Sequence, residues 1–127
     1  MSTQIHFAEI YQLSLQLVCL ADRWSHDASE RRQDVRGLLM GAATTAVLLL
    51  AKGVGESTPE GRRALLRRAD HCAIEVSSLI DVSGVLHLMA PTELQRARTV
   101  TRCLRERITA LLESTPGPMP LREAARS

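Results

Sequence analysis

The stretch LQRARTVTRCLRERITAL, residues 94–111, carries the pattern that decides the fold. Its apolar and small residues recur at alternating intervals of three and four, the spacing of one face of an α-helix packed in a bundle. They are Leu94, Ala97, Thr101, Leu104, Ile108 and Leu111. The chain has no strand-like alternation of useful length, so this stretch predicts a packed helix.

Three further helices are predicted before it. The first covers about residues 5–25 and repeats the spacing at Ile10, Leu13, Leu17, Leu20 and Trp24. The second helix runs to about Lys52, with Val35, Leu39, Ala42, Ala46 and Leu50 on one face. The third helix runs to about Met89, and its apolar face is marked by Leu65, Ala69, Cys72, Val76 and Leu79.

Capping residues predict where these helices begin. Asp27 and Glu30 form a capping box for the second helix. Ser57 or Thr58 caps the third helix, with Pro59 in its first turn. Thr92, followed three residues later by Gln95, caps the fourth helix.

Length and connections define the architecture. A chain of 127 residues fits one domain, and its aromatic content of 2% leaves a core of aliphatic residues, which favours helices. Short connections make consecutive helices antiparallel neighbours. The sequence therefore predicts an all-α, antiparallel up-and-down four-helix bundle over residues 1–114. Residues 115–127 form a Pro-rich tail that we expect to be mobile or loosely docked.

Charge and cysteine usage narrow the class of protein. The net charge of +2 is too small by itself to imply a polyanion partner. Cys19, Cys72 and Cys103 are far apart and form no CxxC pair, which indicates reduced thiols. The N-terminus lacks the pattern of a signal peptide, and the uncharged residues 37–51 are fewer than the roughly 20 needed to span a bilayer. We therefore expect a cytoplasmic protein without a membrane partner.

The second helix is apolar beyond a single stripe. Met40, Val47 and Leu48 cover much of the side opposite its first apolar face. A helix that is apolar nearly all round needs a second burial partner. The simplest partner is another copy of the chain, which could contact this surface through Tyr11, Leu15 and Val18 of the first helix. Such a head-to-tail contact builds a closed ring if the rotation closes. The alternative is an irregular bundle that buries the second helix centrally.

Arg98, Arg102 and Arg105 form a basic stripe beside the apolar seam of the fourth helix. Such a stripe is a hypothetical nucleic-acid site, in which oligomerisation would multiply the phosphate contacts. The alternative is that the arginines cover the core or form salt bridges with a neighbouring helix. The arginines of EGRRALLRRADH, residues 60–71, do not form one stripe and indicate a solvated helix start, with Arg63 and Arg67 pointing away from the core.

Catalytic and metal-binding patterns have no positive support. The histidines are scattered outside HExxH, ExxH or Cys/His clusters. His71 and Glu75 lie one turn apart and could hold a metal only with a third ligand, so a surface pair is the simpler interpretation. GVGES is not followed by the GK[ST] of a P-loop. The sequence therefore predicts neither a catalytic residue, nor a metal site, nor a cofactor.

With its four helices placed, the chain resembles the four-helix-bundle family of 23S rRNA intervening-sequence proteins. LLLAKGVGES stands where that family has a motif like NIAEG, with Ala51 and Gly53 matching. RRALLRRADHCAIE stands where it has a motif like AxGSxxE, with Ala69 and Glu75 matching.

This resemblance implies a bundle that assembles into a ring, with a pentamer as the expected form. Related accessory proteins of diversity-generating retroelements form basic barrels that bind reverse transcriptase and nucleic acid. The resemblance thus implies a possible RNA or protein partner, and it transfers no catalytic residue. The sequence predicts a non-enzymatic homo-oligomeric assembly module, with RNA binding through the arginine stripe as the alternative.

Overall fold

A computed structural model of the chain describes residues 3–27 and 32–114, with side chains for residues 8–24 and 32–114. Within these residues the chain is all-helical, as the sequence predicts, and has no strand. The helices are α1 (Thr3–Asp27), α2 (Gln33–Gly55), α3 (Pro59–Val85) and α4 (Pro91–Ser114). The predicted tail lies outside the described residues.

Each helix packs against two others. α1 contacts α2 and α4, and α3 contacts the same two helices. The predicted seam of α4 is confirmed, because Ala97, Thr101, Leu104, Ile108 and Leu111 are all buried. The described chain therefore has one aliphatic core, to which all four helices contribute.

The core face of α3 differs from the predicted one. Ala69 and Val76 are buried as expected, but Leu65, Cys72 and Leu79 only pack against the edge of the core. The buried seam of α3 is Leu66, Ala69, Ala73, Val76, Ile80 and Ser83. The observed face is rotated by about one residue from the predicted one, since Leu66, Ala73 and Ile80 are buried in place of their neighbours Leu65, Cys72 and Leu79.

Two predicted helix starts were wrong and one is confirmed. Thr58 caps α3, since its hydroxyl accepts a hydrogen bond of 3.0 Å from the backbone N–H of Gly61. α4 begins one residue before the predicted cap Thr92, because the N–H of Leu94 already bonds to the Ala90 carbonyl. Ala90 therefore takes the N-cap position, and Pro91 follows it as the first helical residue.

The predicted capping box of α2 was also wrong. Asp27 is the last residue of α1 and does not open α2, while Glu30 lies outside the described residues. The N-cap of α2 is Arg32, whose backbone is left-handed with φ 52° and whose side chain makes no capping bond. Asp34 in the first turn instead supplies a negative charge near the positive end of the helix dipole.

α3 ends at Val85, four residues before the predicted end at Met89. His87 has a positive φ of 55°, which stops the helix. The N–H of Leu88 bonds to the Ser83 carbonyl, and the N–H of His87 bonds to the Gly84 carbonyl. This pattern is a Schellman motif, which usually has glycine at the left-handed position and here has histidine.

Candidate functional site

α2 carries two seams of opposite exposure. The buried seam is Val35, Leu39, Ala42, Ala46, Leu49 and Gly53. A second set with the same alternation of four and three is exposed to solvent: Gly37, Gly41, Thr44, Leu48, Ala51 and Gly55. Together with exposed Leu38, Thr45 and Lys52, this second set is called the α2 outer face.

The α2 outer face is apolar over most of its length. Leu38 and Leu48 are 62% and 58% exposed, the two most exposed leucines of the described chain. Between them, the position that a Cβ atom would take at Gly41 has nothing within 4 Å. Charged residues among the exposed positions of α2 are confined to its two ends, at Asp34 and Lys52. The water-facing side of this helix thus lacks the charges that usually keep such a side in water.

Thr45 adds a polar atom to the α2 outer face but does not need water to satisfy it. Its hydroxyl donates a hydrogen bond of 2.8 Å to the carbonyl oxygen of Gly41, one turn earlier in the same helix. A hydroxyl bonded within its own helix can be buried without leaving an unsatisfied donor. The centre of the α2 outer face is therefore compatible with a dry contact.

The predicted interface residues of α2 fall on two different sides of the helix. Leu48 lies at the centre of the α2 outer face, as described above. Met40 and Val47 are half-buried and share a flank with Arg36, whose guanidinium lies 5.6 Å from the centre of the Trp24 ring on α1. Met40 and Val47 therefore lie toward the seam between α1 and α2, and only Leu48 of the three lies on open surface.

The predicted interface residues of α1 are likewise half-buried. Tyr11 and Val18 pack against the core of the same chain. Leu15 borders an open groove of about 570 Å³ between α1 and α4, with Cys19 and Val100 among its lining residues. These three side chains are accordingly much less exposed than the α2 outer face.

Sequence reasoning missed Leu38, the more exposed of the two leucines. The pattern contains a signal for it, because the intervals of four and three from Gly37 to Gly55 mark a second face of α2. The glycines and threonines of that series are only weakly hydrophobic, so the hydrophobic pattern of the sequence does not mark them as a face. Leu38 lies next to this series at the end where α2 begins.

Arg98, Arg102 and Arg105 lie together along one groove between α3 and α4, as the sequence predicts for a single stripe. The groove has a volume of about 440 Å³, and Ser77 and Asp81 are among its α3 residues. The structure thus brings the three predicted cations to one place.

Each of these arginines has a carboxylate partner. Arg98 pairs with Asp81 at 3.3 Å and Arg105 pairs with Asp70 at 3.1 Å, and both pairs join α3 to α4.

The third partner lies within α4. Arg102 is 3.9 Å from Glu106, and the Arg102 side chain is 65% exposed. Three carboxylates therefore offset three guanidinium groups, which weakens the electrostatic field that would attract a polyanion.

The opening arginines of α3 also have local partners. Arg62 donates a hydrogen bond of 2.9 Å to the Glu56 carbonyl oxygen. Arg63, which the sequence analysis placed on the solvated side, is half-buried and donates to the Leu112 carbonyl oxygen near the end of α4. These two side chains complete the hydrogen bonding of neighbouring backbone, and α4 packs beside Arg63 because α3 is rotated from the predicted orientation.

The groups considered for catalysis do not converge. His71 and Glu75 are both exposed on α3. Burial raises the pKa of the neighbouring Cys72 thiol, and the charge of Glu75 raises it further. A raised pKa keeps this thiol protonated, the opposite of what an activated nucleophile needs. Among the described residues, no three His, Cys, Asp or Glu side chains lie close enough together to hold a metal ion.

α2 is also long and apolar enough to cross a membrane, judged by length and composition alone. Part of its most apolar window, 39%, is buried inside the chain. The core helix of a soluble protein passes the same test, so this property is weak evidence for a membrane span.

These features define the class of protein over the described residues: an all-helical chain of four helices with an exposed apolar face on α2 and a groove of paired arginines between α3 and α4. No protein-family model matches the chain, and no curated protein sequence matches it.

Proposed function

We propose that this protein is a non-enzymatic assembly module that forms a homo-oligomer through the α2 outer face. The observation that carries the proposal is the exposure of Leu38 and Leu48 on a face whose charges lie only at its ends. Covering such a surface removes apolar area from water, which is the main favourable term in association. A second copy of the chain is the simplest partner, because it is present wherever the chain itself is present.

The proposed architecture of each subunit is an antiparallel, up-and-down four-helix bundle. Arg107 near the end of α4 pairs with Glu9 near the start of α1 at 2.7 Å. Along α3 and α4, early Arg63 bonds to late Leu112, and late Asp81 pairs with early Arg98. This order of contacts supports opposite directions for α4 and both of its neighbours.

The proposal is tested by the mass of the protein in dilute buffer, measured by light scattering over a range of concentrations. We expect a mass that is a multiple of 14.0 kDa for the unmodified chain. Leu48→Glu should shift the distribution toward the monomer, because it places a charge at the centre of the proposed interface. Since Leu48 is 58% exposed, the substitution should leave the fold of the subunit intact.

Val85→Glu is the matched control, because Val85 is an apolar residue 77% exposed at the end of α3. It adds the same charge outside the α2 outer face and should leave the oligomer unchanged. Met40→Glu is a poorer test, since Met40 packs against the core and its replacement would destabilise the subunit itself. A monomer for the unmodified chain at micromolar concentration would overturn the proposal.

RNA binding through Arg98, Arg102 and Arg105 is the alternative, and the observation that favours it is their position along a single groove. Their carboxylate partners count against it, so binding would depend on the number of copies in the oligomer. Arg102 is the best reporter, because it is the most exposed of the three.

Arg102→Ala should weaken binding of a single-stranded RNA and reduce the steepness of its salt dependence. Arg96→Ala, at an exposed position of α4 outside this groove, is the control. Equal binding by both variants and the unmodified chain would reject the arginine groove as the RNA site.

Three further parts of the proposal concern identity, subunit number and location. Membership of the family of 23S rRNA intervening-sequence proteins is proposed from the partial match of LLLAKGVGES and RRALLRRADHCAIE to its motifs. That family implies a pentameric ring, which needs a head-to-tail contact, whereas a two-fold contact through the α2 outer face closes as a dimer. The mass measurement distinguishes the two. A cytoplasmic location without a membrane partner is proposed from the sequence alone, and cell fractionation would test it.

A further inference from the structure

We infer that two copies of this chain pack their α2 helices antiparallel around a two-fold axis near Thr44 and Thr45. This inference rests on the proposed function, in which the α2 outer face is the site of self-association. It adds the direction of the helices, their register and the residues that meet.

The charges at the ends of α2 decide the direction. Asp34 and Lys52 are both exposed and lie eighteen residues apart, which at 100° per residue is five full turns. They therefore lie on the same flank of the helix. Asp34 pairs with Arg32 of its own chain at 2.9 Å, but its side chain is 64% exposed, so the carboxylate is open to a second cation. An antiparallel two-fold arrangement keeps this flank on the same side of the interface in both copies, so Lys52 of each copy approaches Asp34 of the other.

A parallel arrangement places like charges together at both ends of the contact. Asp34 of both copies would lie at one end of the contact and Lys52 of both copies at the other end, while the two helix dipoles would point the same way. Both effects are unfavourable. The antiparallel arrangement replaces each repulsion with an attraction and opposes the dipoles.

Shape then favours one register. Gly37, Gly41 and Gly55 all leave open space at the Cβ position, and pairing Leu48 with Gly41 centres the contact on α2. Leu48 projects from the α2 outer face, whereas Gly41, seven residues earlier, leaves space into which a side chain can fit. In an antiparallel pair with Leu48 opposite Gly41, the axis passes midway between them, near Thr44 and Thr45. Each leucine then fills the space above a glycine of the other copy, and the contact occurs twice.

The same register brings the ends of the helices together. With Leu48 opposite Gly41, Lys52 lies opposite Gly37, one helical turn from Asp34 of the other copy. The long lysine side chain can bridge that turn. The hydroxyl of Thr45 near the axis is already bonded to the Gly41 carbonyl, so close approach there keeps that donor satisfied.

Single cysteines test the register. Cys19 is exposed, so the parent protein carries Cys19→Ser, and Thr44→Cys and Lys52→Cys are made separately in that parent. Under mild oxidation, Thr44→Cys should form a covalent dimer because the axis brings the two copies of this residue together. Lys52→Cys should not, because the two copies of residue 52 lie at opposite ends of the contact.

A charge exchange tests the direction independently. Lys52→Glu should weaken association about tenfold, because it places an acid beside Asp34. Adding Asp34→Lys should restore association, since the attraction is then re-formed with the signs exchanged. Circular dichroism of each variant checks that the helices remain folded. Gly41→Leu, which fills the space needed by Leu48, should also weaken association and changes no charge.

The possible results separate the two proposals. A monomeric unmodified protein overturns both. An oligomer that Leu48→Glu weakens keeps the proposed function. If, in that oligomer, Lys52→Cys forms the covalent dimer or the charge exchange fails to restore binding, the antiparallel contact is overturned. The full pattern of Thr44→Cys cross-linking, restoration by the exchange and weakening by Gly41→Leu supports it.

Discussion

The indole Nε1 of Trp24 donates a hydrogen bond to the carbonyl oxygen of Leu88, 64 residues later in the chain. The bond joins the C-terminal part of α1 to the connection between α3 and α4. Trp24 is 3% exposed and Leu88 is 8% exposed, so water cannot readily replace the bond. One side chain thus holds together three helices at one end of the molecule.

Replacing Trp24 by Phe should lower the free energy of unfolding by about 1–3 kcal/mol, because it leaves a buried carbonyl without its donor. The loss should be visible as a lower urea midpoint, followed by circular dichroism at one fixed protein concentration. An unchanged midpoint would mean that the bond contributes nothing to stability.

His87→Gly should raise the free energy of unfolding by about 1 kcal/mol. His87 has a φ of 55°, and glycine adopts this left-handed conformation without the steric penalty of a Cβ atom. His87→Ala is the control, since it removes the imidazole and keeps the penalty. If both variants gain equally, the imidazole and not the backbone is the source of the effect.

Thr58→Ala should destabilise the protein by about 1 kcal/mol, because it removes the hydroxyl that accepts the hydrogen bond from Gly61 N–H at the start of α3. Ser57→Ala, one residue earlier and exposed, should have a much smaller effect. Thermal unfolding of the two variants, measured side by side, distinguishes the two residues. Equal losses would contradict the assignment of Thr58 as the cap.

Glu56 should contribute to the pH dependence of stability in acid. Its carboxylate accepts hydrogen bonds of 3.2 Å from the backbone N–H and from the hydroxyl of Thr58, and these bonds lower its pKa below the ordinary 4.5. A carboxyl whose pKa is lowered by folding stabilises the protein above its unfolded pKa. That contribution is lost as the pH falls through the lower, folded value.

In Glu56→Gln the free energy of unfolding should therefore decline less steeply below pH 4.5 than in the unmodified protein. Urea unfolding at a series of pH values measures the slope, and carboxyl NMR shifts report the pKa of Glu56 directly. Parallel slopes for the two proteins would show that the hydrogen bonds to Thr58 do not persist in solution.

Local chemistry explains where sequence reasoning succeeded and where it did not. Thr58 followed by Pro59 was recognisable as a helix start because side chain and ring both act within one turn. His87 gave no such signal, since histidine is not the residue expected at a left-handed helix end. Ala90 likewise caps α4 with its backbone alone. Thr92 was predicted as the cap because its side chain, unlike that of alanine, can accept a capping hydrogen bond.

The candidate surfaces also combine features that one helix determines with features that depend on packing between helices. The stripe of Arg98, Arg102 and Arg105 follows from helical spacing within α4, but Asp70 and Asp81 come from α3 and become partners only when the two helices pack. Leu48 was recognised as a surface residue in need of a partner. Met40 and Val47 were grouped with it, although both are half-buried in the folded chain.

The sequence by itself determined that the chain forms four helices, which side of α4 is buried and that α2 has more apolar surface than one bundle face can cover. These properties depend on spacing within a single helix. The tertiary structure decided how far α3 is rotated, which carboxylates neutralise the arginines and that Leu38 and Leu48 remain uncovered. Each of these depends on side chains from different helices, whose distances are set only when the helices pack together.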